Sequence, residues 1–132
     1  MIVDIYVRVI QKDSQKHGIA FVIFNYKGRK KELYFTTLEN TQNRSIILAC
    51  SNSLLALKKS CIVNLHTQTN FGFKFMENTK KWVNRDAGVR LLKIINQGRH
   101  HINFIDYSAS PEGRETQQLM NQKLIYIGGT LV

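Results

Sequence analysis

Thr41-Gln-Asn-Arg-Ser-Ile-Ile-Leu-Ala-Cys50, with Ser51-Asn-Ser-Leu-Leu-Ala-Leu-Lys-Lys-Ser60 and Cys61-Ile-Val-Asn-Leu-His-Thr-Gln-Thr-Asn70 after it, decides the architecture of this chain. Thr41 or Asn43 can cap a helix whose apolar residues Ile46, Ile47, Cys50, Leu54, Leu57 and Cys61 recur at helical spacing. A basic end, Lys58-Lys59, leads into a short apolar strand over Ile62 to His66, which stops at the polar cluster Thr67 to Asn70. In α/β domains ligands gather where strands end and helices begin, so both ends of this unit are candidate sites.

Three strands precede the helix. Val3, Ile5, Val7 and Val9 alternate with Asp4, Tyr6 and Arg8, the period of a half-buried strand. Gln11 to His17 reads as a turn, and Gly18 to Asn25 is a nearly continuous apolar run expected in a central strand. Tyr26-Lys-Gly-Arg29 supplies a tight turn, with Gly28 available for positive φ, before a third strand over Lys31 to Thr37. Downstream, Phe71 to Trp82 suggests a second helix, and Asp86 can cap a third that stops at Gly98. His101 to Tyr107 is a fifth strand, and Pro111 opens a helix toward Gln122. Leu124 to Val132 reads as an added strand or an interface tail. The expectation is an α/β chain in one domain over residues 1–132, with a five-stranded mixed sheet flanked by helices. That sheet combines a three-strand antiparallel meander with parallel strands.

Composition narrows the partners. The 132 residues carry 19 Lys and Arg against 9 Asp and Glu, a net charge of +10 that suggests an anionic partner, nucleic acid before an acidic protein surface or a membrane. A hydrophobic fraction of 43% with 10% aromatics fits a packed core rather than a disordered chain. Asp4 interrupts any leader at the start, and no apolar run approaches the roughly 20 residues of a membrane span, so a cytoplasmic protein is expected. Cys50 and Cys61 sit in apolar settings and read as reduced, buried thiols. His100 and His101 are adjacent and should point to opposite faces, which makes them poor joint ligands.

The element order, with Thr41-x-Asn43-Arg44 opening the first helix, resembles the ribonuclease H1 family from Ile2 to about Gln122. Thr41-Gln-Asn-Arg44 resembles the family's Thr-Asn-Asn-Arg, Thr67-Gln-Thr-Asn70 its Thr/Ser-Asp-Ser-Gln, and Ser110-Pro-Glu112 its His-Pro-Glu. The resemblance implies cleavage of the RNA strand of an RNA–DNA hybrid by two divalent metals on four carboxylates. Those positions fall here on Arg8, Ile46, Gln68 and Gln117, none of them acidic. Magnesium needs hard, anionic oxygen ligands. The sequence-level expectation is therefore a pseudo-nuclease with no metal and no other cofactor, binding a hybrid or an RNA duplex through backbone contacts. The resemblance places those contacts at Thr41, Asn43, Arg44 and Asn70. A basic group with one aromatic, Lys74, Lys80, Lys81, Trp82 and Arg85, lies where family members carry a duplex-gripping protrusion. Of these, Thr41 and Asn43 can serve simply as caps, whereas the sequence gives Arg44 and Asn70 no structural duty. A protein-binding or self-associating module is the alternative expectation. A nuclease with a metal site displaced to Asp4, Asp106, Glu112 or Glu115 is the third. No small-molecule substrate and no membrane partner are expected.

Overall fold

The computed structural model describes residues 1–10, 18–37, 41–67, 84–107 and 110–131. The expected turn over Gln11 to His17 and the expected helix over Phe71 to Trp82 lie outside these residues. Strands β1 (Ile2–Ile10), β2 (Gly18–Tyr26) and β3 (Arg29–Thr37) form an antiparallel meander. Helix α1 (Gln42–Leu55) then carries the chain to β4 (Ile62–Thr67), which pairs parallel with β1. Helix α2 (Arg85–Gly98) leads to β5 (His101–Asp106), parallel to β4, and α3 (Pro111–Leu131) follows. The sheet order is β3-β2-β1-β4-β5, the mixed sheet expected from the sequence.

Alternation in β1 decides the layering. Val3, Ile5, Val7 and Val9 are buried beneath α1 and α2 with Ala20, Val22, Val63 and Leu65, and α1 adds Ile46, Ile47, Ala49, Cys50 and Leu54 to this core. Asp4, Tyr6 and Arg8 therefore point to the other face, where α3 places Met120 against Phe21 and Ile23. The β2–β3 turn carries positive φ at both Lys27 and Gly28, the left-handed pair that a two-residue hairpin turn requires.

Several boundaries differ from the sequence expectations, each for a local reason. Thr41 is the cap of α1, accepting from Arg44 N at 3.3 Å, so Asn43 is not. The helix closes at Ala56, whose N–H turns back to Ser53 O at 3.2 Å, and Leu57 and Cys61 lie beyond it. Cys61 instead joins the approach to β4, its N–H donating to His100 Nδ1 at 3.1 Å. Asn84, not Asp86, precedes α2, and Asp86 sits in the first turn. The left-handed residue that ends α2 is Arg99, with φ 55°, while Gly98 stays helical. The segment expected as an extra strand or tail from Leu124 continues α3 as far as Leu131. Propagating an existing helix adds one hydrogen bond per residue, which offsets the roughly 1 kcal/mol that each of Gly128 and Gly129 costs.

Candidate nucleic-acid interface

β1, β4 and β5 run parallel, so their C-terminal ends meet at one edge, where Arg8, Thr67 and Asp106 lie. The start of α1 docks there, with Gln42 Nε2 donating to the Val9 carbonyl at 3.0 Å. The buried Thr37 hydroxyl bonds Ser45 Oγ at 2.9 Å and ties the end of β3 to the same helix turn. Arg44 reaches from α1 to the first turn of α2, placing Nη1 at 2.7 Å and Nη2 at 2.5 Å from the two Asp86 oxygens. This fork holds Asp86 down to about 2, through the hydrogen bond first and charge attraction after it. Arg44 thus has a structural duty that the sequence did not reveal. The fork lines a cavity of about 100 Å³ with Leu48, Ser51, Ala87 and Arg90.

α3 closes the edge from the other face. Ser110 caps it, its hydroxyl accepting from Gly113 N at 3.0 Å. A side chain at Gly113 would put its Cβ within 3.0 Å of the Tyr107 carbonyl oxygen, so only glycine lets the helix start this close to β5. Tyr107 is buried, its hydroxyl donates to the Val7 carbonyl at 3.3 Å, and burial pushes its pKa up to about 12. Two turns further along α3, Asn121 Oδ1 accepts from Arg8 Nε at 2.7 Å.

A second cluster on the α3 face is Asp4, Tyr6 and His66. His66 Nε2 and Asp4 Oδ1 stand 3.0 Å apart, and the Tyr6 and His66 rings stack with centroids 4.1 Å apart. Burial raises the Tyr6 pKa, and the Asp4 and Glu112 carboxylates raise it further. The β1–β4 register pairs Tyr6 with His66 directly. That register was not visible in the sequence, where His66 reads only as a strand-end polar residue.

The four positions that the family resemblance makes acidic do not fit a pair of divalent cations. Arg8 presents a guanidinium bonded to Asn121, Ile46 is buried in the core at 5% exposure, and Gln117 is a half-buried neutral amide on α3. Gln68 lies outside the described residues and its side chain is again a neutral amide. The displaced set gathers no better. Asp4 is engaged by His66, Glu112 and Glu115 are exposed on α3, and among the described residues no group of three His, Cys, Asp or Glu could hold a metal. Of the expected contact residues, Thr41 is an exposed cap, Asn43 lies in the first turn of α1, Arg44 is paired with Asp86, and Arg85 is exposed at the start of α2. Asn70, Lys74, Lys80, Lys81 and Trp82 lie outside the described residues. Both cysteines are free and buried, and burial pushes the Cys50 thiol up to about 12. Among the described residues, no helix is long and apolar enough to cross a membrane.

Known proteins match over most of the chain. A protein of Desulforamulus reducens named Ribonuclease H is 31% identical over 114 residues, covering 74% of this chain and 72% of its own length. One of the same name from Legionella pneumophila is 31% identical over 83 residues, covering 63% of this chain and 56% of its own length. A third, from a Chelativorans species, reaches 43% over 49 residues, which is 37% of this chain and 30% of the relative. Among solved structures, RNase H1 from the halophilic archaeon Halobacterium salinarum superposes with a TM-score of 0.67 at 14% identity, covering 83% of this chain and 89% of that one. No protein-family model matches the chain.

These relatives correct the expectation that the chain is not an enzyme. Several carry the name of an enzyme at 31–43% identity, and the fold is that of an RNase H1, which together point to an enzyme. Non-acidic residues at four ligand positions do not by themselves establish a loss of activity. With 114 aligned residues spanning 72% of a protein named Ribonuclease H, on the matching five-stranded fold, the chain belongs to the ribonuclease H family.

Proposed function

We propose that this chain acts on RNA–DNA hybrids, holding the duplex along its sugar–phosphate backbones at the C-terminal edge of the parallel strands. The observation that carries this reading is the 114-residue alignment with a protein named Ribonuclease H. The net charge of +10 supports it, since a basic surface supplies the sequence-independent part of duplex binding. The start of α1 presents the Thr41 hydroxyl, the Asn43 amide and the Arg44 guanidinium at this edge, groups suited to phosphate oxygens and the 2′-hydroxyl. Arg44 makes its contact from within the Asp86 fork, which fixes the orientation of its guanidinium. Asn70, Lys74, Lys80, Lys81, Trp82 and Arg85 are the further residues that this reading assigns to the duplex. No chemical step is assigned to a metal pair at Arg8, Ile46, Gln68 and Gln117, because a guanidinium, an alkyl chain and two amides offer no anionic oxygen.

The test is fluorescence anisotropy with labelled hybrid, duplex RNA and duplex DNA of one sequence, in about 50 mM salt, where phosphate contacts are strong. Hybrid should bind more tightly than duplex DNA, and Arg44→Ala should weaken it. Equal affinity for hybrid and duplex DNA, or no binding at that salt, refutes the reading.

A further inference from the structure

We infer that Arg8 forms a metal-independent phosphate site at the position where the family resemblance places a metal-binding carboxylate. Arg8 stands on β1 on the face covered by α3 and is half-buried. Its two partners are neutral. Nε donates to the Asn121 amide oxygen at 2.7 Å, and the guanidinium lies near the Tyr107 hydroxyl, whose own proton goes to the Val7 carbonyl. The guanidinium carries more N–H donors than these neighbours take.

A half-buried charge normally finds an opposite charge, because desolvating it alone is costly. Arg44 pairs with Asp86, His66 with Asp4 and Lys123 with Glu32, and Arg8 belongs to none of these pairs. Asp4 shares its face but lies two pleats along the strand and is engaged by His66. Gln117, one helical turn before Asn121 on α3, adds an amide and no charge. The neighbours that Arg8 contacts among the described residues are neutral, and in a protein of net charge +10 such an oriented cation selects for an anion from outside. A guanidinium fork matches two oxygens of a phosphate group. The ligand class is a phosphodiester of the bound duplex. For that ligand the inference rests on the hybrid reading above, whereas the anion chemistry of the site does not.

Two measurements separate the inference from that reading. First, inorganic phosphate is titrated against thermal unfolding at constant ionic strength, for the wild type, Arg8→Gln and Arg8→Lys. Phosphate should raise the wild-type Tm and leave that of Arg8→Gln unmoved, with Arg8→Lys between them. Second, hybrid affinity is measured in EDTA and in magnesium. It should be the same in both. It should fall about tenfold in Arg8→Gln, with the salt slope shallower by roughly 0.9, as for one lost phosphate contact. If Arg8→Gln fails to fold, the Arg8→Lys comparison decides, because it keeps the charge and loses the fork.

Phosphate protection that depends on Arg8 without hybrid binding would support the site and sink the hybrid reading. Hybrid binding that is unchanged in Arg8→Gln, or that requires magnesium, overturns the inference and leaves the hybrid reading standing. Absence of both effects overturns both.

Discussion

Replacing Gly113 by alanine is a sharp test of how α3 is seated, because two physical effects of opposite sign compete there. A glycine-to-alanine change in an unconstrained helix stabilises by about 1 kcal/mol. At Gly113, however, the new Cβ falls within 3.0 Å of the Tyr107 carbonyl oxygen and close to Ser110 Oγ. One obstacle is backbone and cannot rotate away, so α3 must move. Overpacking of this kind typically costs about 1–3 kcal/mol, which exceeds the propensity gain. The net expectation is a loss of up to about 2 kcal/mol. The displacement would propagate to Asn121 and loosen its 2.7 Å bond to Arg8. Urea unfolding followed by circular dichroism measures the stability, and a lower midpoint with an unchanged slope is expected. A midpoint raised by the variant would show that α3 does not press on β5 at Gly113, and the derived geometry around Arg8 would fall with it.

Ile46 is 5% exposed within the main core, so Ile46→Ala should cost about 2–5 kcal/mol in urea unfolding. A loss below about 1 kcal/mol would mean that this residue faces solvent, as a metal-ligand position would. Cys50 has its pKa raised by burial from 9.0 to about 12, so the folded state favours the neutral thiol. Stability should be unaffected by this group below pH 9 and should fall above it, where the unfolded thiol ionises first, by up to about 1.4 kcal/mol per pH unit. Comparing urea midpoints of the wild type and Cys50→Ala from pH 8 to 10.5 should show the wild type declining faster; parallel curves contradict the burial. Lys80→Ala with Lys81→Ala should reduce the slope of log affinity for the hybrid against log salt by up to about 1.8, and an unchanged slope removes both from the interface.

Local pattern carried much of this fold. The alternation in Ile2 to Ile10 sorted β1 into a buried and a half-buried face, the apolar run from Gly18 marked the central β2, and Thr41 announced the start of α1 through its capping hydroxyl. What stayed hidden depended on distance in sequence. Arg44 and Asp86 are 42 residues apart, and nothing in either neighbourhood specifies that α1 and α2 approach with these two side chains face to face. Asp4 and His66 meet because β4 pairs with β1 in a register set by the whole sheet. Arg8 was legible as a non-acidic residue at an acidic family position, but its half-buried setting between Asn121 and Tyr107 required α3 to be in place. Gly113 offered no signal, since its role is the close approach of Tyr107 rather than a turn. The reach of α3 to Leu131 was missed because Leu124 to Val132 reads as an added strand or a tail, whereas a helix already formed can continue through Gly128 and Gly129.

We place the nucleic acid at the C-terminal edge of β1, β4 and β5. Backbone amide NMR of the labelled protein, titrated with a short RNA–DNA hybrid, tests it residue by residue. Shift changes should concentrate at Arg8, at Thr41 to Arg44, at Arg85 and its sequence neighbours, and at the start of α3. The opposite end, including the β2–β3 turn at Lys27 and Gly28, should move much less. Changes centred on that turn, or none at a hybrid excess, would mean that the duplex does not bind at this edge.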